Sequence, residues 1–135
     1  MKEKYMKFGD YIRKKRLADP RGLTMQNVAD NLGISLSYVS AVENRYKPPF
    51  DGERIGKLAE FLNLSKEETA LMFDLASREN REVPYDIEDI FIYEEIGELA
   101  RLALRESKAG NITKKDWETF IKNSMKQKSD KSEKK

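Results

Sequence analysis

Leu36, Ser37, Ser40 and Ala41 lie on one side of a short helical stretch whose other side carries Val39 and Val42, and Arg45 and Lys47 follow at its end. Such a side offers methyl contacts, hydroxyl hydrogen bonds and positive charge. Nothing in it makes or breaks a bond. Thiolate nucleophiles need cysteine, and neutral-pH imidazole bases and most zinc sites need histidine, yet the sequence has neither residue. Ordinary hydrolytic triads are therefore excluded, and the chain is not expected to be an enzyme. Asp86, Glu88, Asp89, Glu94, Glu95 and Glu98 sit at mixed helical angles, the pattern of a solvated face. No metal and no cofactor are expected.

Charge narrows the available chemistry further. The 135 residues carry a net charge of only +2, but its distribution is uneven. Residues 1–50 hold 10 Lys/Arg against 5 Asp/Glu, residues 51–106 hold 7 against 15, and residues 107–135 hold 9 against 4. A basic first segment suits a polyanion, whereas the acidic middle would be repelled by one. The run Arg13, Lys14, Lys15 and Arg16 reads mainly as a solvated face.

Helices must position these groups. Phe8, Ile12 and Leu17 fall at roughly helical spacing, and Pro20 with Gly22 closes that first helix. Thr24 is placed as an N-cap for Met25, Val28, Ala29 and Leu32, with Gly33 as a left-handed stop. Ser35 caps a third helix ending near Asn44. Asp51 caps a fourth, in which Phe50 and Ile55 form a hydrophobic staple and Leu58, Ala59 and Leu62 the buried stripe. Ser65 and Glu68 have the spacing of a capping box for a fifth helix through Leu71, Met72, Leu75 and Ala76. The polar stretch 77–84 reads as a junction. Beyond it Ile92, Ile96, Leu99 and Ala103 follow helical steps, with a break expected near Gly97. Thr113 opens a last helix presenting Trp117, Phe120, Ile121 and Ser124 on one face. The expected organisation is a domain over 1–78, a helical module over 79–126 and a disordered basic tail over 127–135.

Two short helices joined by a tight turn at a steep angle need a small residue at the crossing and a turn residue that tolerates positive φ. Ala29 and Gly33 meet those needs, and Val39 and Val42 supply the buried side of the second helix. The stretch 23–44, "LTMQNVADNLGISLSYVSAVEN", followed by "RYKPP", resembles the Cro/repressor (XRE-type) helix-turn-helix family over about residues 8–76. Leu23, Thr24, Val28, Ala29, Gly33, Ser35, Val39, Val42, Glu43 and Asn44 match its pattern in kind.

The resemblance implies an all-α protein: a five-helix, lambda-repressor-like DNA-binding domain with a small C-terminal helical extension. It implies that the helix over 35–44 enters the major groove of double-stranded DNA. The readers by position would be Leu36, Ser37 and Ala41, with Tyr38 and Ser40 beside them. Phosphates would be met by backbone amides at helix starts and by Asn44, Arg45 and Lys47. Arg16 and Glu43 would form a structural pair. Two departures stand out. The family's glutamine at the start of the second helix, a phosphate contact, is Met25 here, with Gln26, a candidate DNA-binding residue, one place later and about 100° around the helix. The glycine expected after Asn44 is Arg45, so either the left-handed backbone is accepted at a cost or the helix end shifts. The reading positions also lack Arg, Gln and Asn, the residues of bidentate base contacts, so methyl contacts and DNA shape are expected to carry much of the specificity.

A single domain of this kind holds DNA weakly, so a homodimeric repressor is expected, with Ile92, Ile96, Leu99, Trp117 and Phe120 as candidate interface. The alternative is an antitoxin or other protein whose C-terminal helices bind a partner protein. Charges interrupt every apolar run well before the roughly 20 residues needed to span a bilayer, so no membrane partner is expected. The first ten residues have no apolar signal core, and a cytoplasmic protein is expected.

Overall fold

A computed structural model describes residues 2–133, with side chains described through Lys128. All regular structure among the described residues is helical. The helices are α1 (Phe8–Ala18), α2 (Met25–Leu32), α3 (Leu36–Glu43), α4 (Gly52–Phe61), α5 (Lys66–Asn80), α6 (Glu88–Tyr93), α7 (Glu95–Lys108) and α8 (Lys114–Glu133). The chain divides into two compact units, Met1–Asp89 and Ile90–Lys135.

In the first unit α2, α3, α4 and α5 each begin where the N-cap side chain satisfies an orphan amide. Thr24 and Asn27 form a reciprocal capping box at α2, and Ser65 and Glu68 form another at α5. Ser35 Oγ accepts from Tyr38 N at 3.1 Å, and Asp51 Oδ1 accepts from Arg54 N at 2.9 Å. Gly33 ends α2 at φ 67°, a conformation nearly free for glycine alone.

The core draws Phe8, Tyr11 and Ile12 from α1, Val28, Ala29 and Leu32 from α2, and Val39 and Val42 from α3. Phe50, Ile55, Leu58, Leu62, Met72 and Leu75 close it from the other side. Each such side chain removed from water contributes about 1.5 to 3 kcal/mol before the entropy of ordering it. Phe8 meets Phe50 edge to face, with centroids 6.0 Å apart.

Several boundaries differ from the sequence expectations. Leu17 is 63% exposed; Tyr11 and Arg16 take the inward positions of α1 instead. The first unit continues to Asp89 rather than ending at 78, because the Tyr85 ring stacks on Phe73 (centroids 6.4 Å apart) and lies directly against Gly52. The helical break falls at Glu94, not at Gly97. Gly97 lies inside α7, and a methyl group there would overlap the Ile90 and Phe91 carbonyls. Over 127–133, within the stretch expected to be a disordered tail, α8 continues to Glu133, and residues 126–133 contain neither glycine nor proline to stop it. Lys134 and Lys135 lie outside the described residues. No helix among those described is long and apolar enough to cross a membrane.

Glu68 ties α5 to α1, accepting from Lys15 Nζ at 2.7 Å, while Tyr11 Oη donates to the Glu68 carbonyl at 3.1 Å. The Lys15 hydrogen bond, assisted by the Ser65 amide, holds the Glu68 carboxyl down at about 2. A depressed carboxylate stabilises the fold while ionised, so its contribution is complete above the ordinary value of 4.5 and disappears as pH falls toward about 2. Urea denaturation of Glu68→Gln, which keeps the cap geometry, is expected to show lower stability at neutral pH. Between about 4.5 and about 2 its loss of stability should be shallower than that of the unsubstituted protein.

Candidate nucleic-acid interface

The position of α3 is set by α1. Gly9 lies so close to the Val42 and Glu43 carbonyls that any side chain would overlap them, which lets α1 cross the end of α3. Further along α1, Arg16 Nε and Nη2 each donate to the Glu43 carboxylate at 2.9 Å, and Nη1 donates to the Leu23 carbonyl at 3.0 Å. The guanidinium, raised above its ordinary value chiefly by the Glu43 bonds, is thus joined to the helix end and to the approach to α2. Arg16 and Glu43 are 8% and 3% exposed, so neither is available to a ligand.

On the other flank α2 packs closely on α3, with Ala29 completely buried. Val39 and Val42 point into the core, which leaves Leu36 and Ser37 exposed and Ser40 and Ala41 half-buried on the outer side. Leu36 is 43% exposed. Leu36, Ser37 and Ala41, the expected reading positions, share with Ser40 an accessible face of the first unit.

Tyr38 is oriented differently. Its ring packs against Phe50 with centroids 5.5 Å apart, and two cations stand over it: Lys47 Nζ at 5.3 Å and Arg54 Cζ at 5.6 Å. It therefore anchors α3 to the core and presents positive charge beside the reading face. The sequence reading omitted Arg54. The available signal was a cation in the first turn of a helix, where the macrodipole disfavours one; here Asp51 offsets it at 2.7 Å.

The end of α3 resolves the question posed by Arg45. Asn44 caps the helix, and Arg45 adopts φ 66°, taking the left-handed conformation instead of shifting the helix end. Its amide donates to the Val42 carbonyl at 3.1 Å, and the Tyr46 amide donates to Ala41 at 2.8 Å. Arg45 stays exposed, 3.7 Å from Asp10. Together with Lys7, Tyr46 and Lys47 it lines an open cleft of about 400 Å³. Lys7 and Tyr46, the latter 85% exposed, were also missed, because neither lies on a periodic face.

Two expected contacts are engaged within the protein. Asn44 Nδ2 donates to the Ser40 carbonyl at 2.9 Å and to Ser40 Oγ at 3.2 Å. Gln26 Nε2 donates to Asp30 at 2.8 Å from the exposed side of α2, while Met25 packs against the core. Neither residue is buried, so both can exchange these partners for others.

Two short helices at a tight glycine turn, the second with its outer face open and a cationic loop at its end, define a helix-turn-helix domain. Residues 12–68 match the family model described as "Helix-turn-helix", and this segment belongs to the Cro/repressor (XRE-type) family. The domain is that of DNA-binding transcription regulators, and the family is regulatory rather than enzymatic. Comparison with curated proteins and with solved structures found no match.

Removing one partner of a buried ion pair strands the other charge. Arg16→Met is therefore expected to lose about 3 to 5 kcal/mol in urea denaturation, and the Arg16→Met/Glu43→Leu double variant to recover much of it. Arg45→Gly should act in the opposite direction, raising stability by about 1 kcal/mol through relief of the left-handed strain while weakening DNA binding through loss of the charge.

Proposed function

We propose that the protein is a dimeric, sequence-specific repressor that reads the major groove with α3 and its caps, residues 35–44. The observation that carries this reading is the division of α3 into a sealed side, Val39 and Val42, and an open side, Leu36, Ser37, Ser40 and Ala41, flanked by the cations Arg45, Lys47 and Arg54. Major-groove width admits one helix, and the charges flanking the reading side suit the phosphates bordering that groove.

The face offers methyls and hydroxyls rather than planar forks. Leu36 and Ala41 suit thymine methyl groups, and Ser37 pairs with several bases. Much of the discrimination then comes from duplex shape and deformability, with Arg45 and Lys47 setting the register on phosphates. A dimer bound across a promoter represses by excluding polymerase. The rival reading, an antitoxin or other partner-binding protein, draws on the exposed apolar residues of the second unit and parts from this one over what covers them.

Gel-shift and footprinting on the DNA upstream of the protein's own gene test the proposal. Leu36→Ala and Ser37→Ala are expected to lower discrimination between the selected site and its single-base variants by about 1 kcal/mol or more at the base pair each faces. Lys47→Ala should weaken binding to all sequences alike and reduce the slope of log affinity against log salt by about 1. Strong selection for guanine opposite Leu36 and Ser37 would contradict the methyl-and-shape account.

A further inference from the structure

After α5 the chain turns back on the first unit before it continues into α6. Arg81 ends α5 at φ 55°, left-handed without being glycine, and the Glu82 amide donates back to the Ser77 carbonyl at 3.1 Å. Residues 83–87 then form a strap against α5, ending in a single 3-10 turn over Tyr85–Ile87. The strap lies outside residues 12–68, the segment matched to the family.

Its contacts lead to the reading face. The Tyr85 ring stacks on Phe73 and lies against Gly52, the first residue of α4, where even a methyl group would overlap it. The neighbours of Gly52 serve Tyr38. Phe50 packs on the Tyr38 ring with centroids 5.5 Å apart, and Asp51 caps α4 while its Oδ2 accepts from Arg54 Nη1 at 2.7 Å. The Arg54 guanidinium then stands 5.6 Å from the centre of the Tyr38 ring. Tyr85 thus presses on the few residues that set both the packing and the charge of Tyr38.

The seat of that ring is shallow. Tyr85 remains 53% exposed, and among the described residues no hydrogen bond joins 83–87 to α4 or α5. A cleft of about 250 Å³, walled by Phe50, Ile55, Phe73 and Val83, stays open beside it. Seating the strap also gathers like charges: burial pushes the Asp74 and Asp86 carboxyls above their ordinary range, and the Asp86 charge adds to the push on Asp74, with Arg78 offsetting part of it. A strained start, few buried contacts and no hydrogen bonds are the features of a segment that opens locally while the rest of the fold holds.

We infer that Tyr85 is a latch: seated, it positions the start of α4 so that Arg54 and Tyr38 flank the reading face, and released, it frees them and weakens DNA binding. Tyr85 acts through Gly52, so it is a positioning residue. The effect on binding rests on the proposed DNA-reading function; the effect on Tyr38 and Arg54 does not.

The absence of cysteine from the chain permits a switchable version of the latch. A Cβ at Gly52 would fall on Tyr85 Cγ, the ring carbon attached to Tyr85 Cβ, so cysteines at the two positions lie within disulfide reach. The full chain carrying Gly52→Cys/Tyr85→Cys is expected, when oxidised, to bind the DNA site footprinted upstream of its own gene as the unsubstituted chain does. Reduction should weaken that binding by about tenfold and shift the NMR resonances of the Tyr38 ring and the Arg54 Nε–H, with cooperative unfolding retained. The unsubstituted chain should not respond to reductant. A double-mutant cycle tests the same contact without a disulfide: Tyr85→Phe should preserve binding and Tyr85→Ala weaken it, while Gly52→Ala should weaken it only where the ring is present. Amides of the strap should exchange hydrogen much faster than the core amides of α5. Identical Tyr38 resonances and affinity in the two redox forms would overturn the inference, as would Gly52→Ala acting equally with and without the ring, or strap amides as protected as those of α5. Resonances that move in a chain that shifts no DNA would defeat the regulator reading and leave the latch standing. Normal DNA binding in every form would defeat the latch and leave the regulator reading standing.

Discussion

The buried bond between Arg16 and Glu43 is the constraint on which the first unit turns. It is bidentate, almost wholly removed from water, and its third arm reaches the Leu23 carbonyl at the approach to α2. One guanidinium thus joins α1, the end of α3 and the segment leading into α2. Taking two charges out of water is costly, and a well-packed apolar pair of the same volume would often be as stable. What the ion pair adds is geometry: its planar fork admits one orientation of α3 against α1, where a greasy contact would admit several. Gly9 reinforces the same crossing by letting backbone approach backbone.

With α3 held in this way, the properties of its open side follow. Its inward valines need no assistance beyond the core, and its outward residues are small enough to leave a shallow, uncharged strip. Positive charge is placed around the strip rather than on it. Tyr38 gathers Lys47 and Arg54 over its ring, and the left-handed turn at Arg45 directs the chain back past Lys7. A cation at Arg45 costs backbone strain that a glycine would avoid, the kind of local penalty associated with functional positions.

The two units bury their apolar residues in contrasting ways. The first closes around Phe8, Tyr11 and Phe50, whereas the second leaves Leu99 and Phe120 in water and keeps only Gly97 covered among its described residues. Helix formation in the second unit nonetheless has clear local causes. Thr113 and Asp116 cap α8 reciprocally, and Asn111 and Ser107 brace the preceding turn. Local bonds can begin a helix, but they give its apolar face no place to go.

Much was legible in the sequence because it depended on neighbours along the chain. Thr24, Ser35, Asp51 and Ser65 cap their helices as their types and spacing require, Gly33 turns left-handed, and the helix-turn-helix pattern is matched over 12–68. These features involve groups only a few residues apart, so local chemistry determines them. Leu17 was misread because periodicity identifies a face without saying which side another element will cover, and Tyr11 lay nearer α5. The extent of the first unit depended on Tyr85 meeting Phe73 and Gly52, residues 12 and 33 positions away in the chain. Likewise, only tertiary packing turned Tyr38 into a platform for Lys47 and Arg54. Such outcomes rest on contacts between distant segments, whose energies no local pattern of residues records.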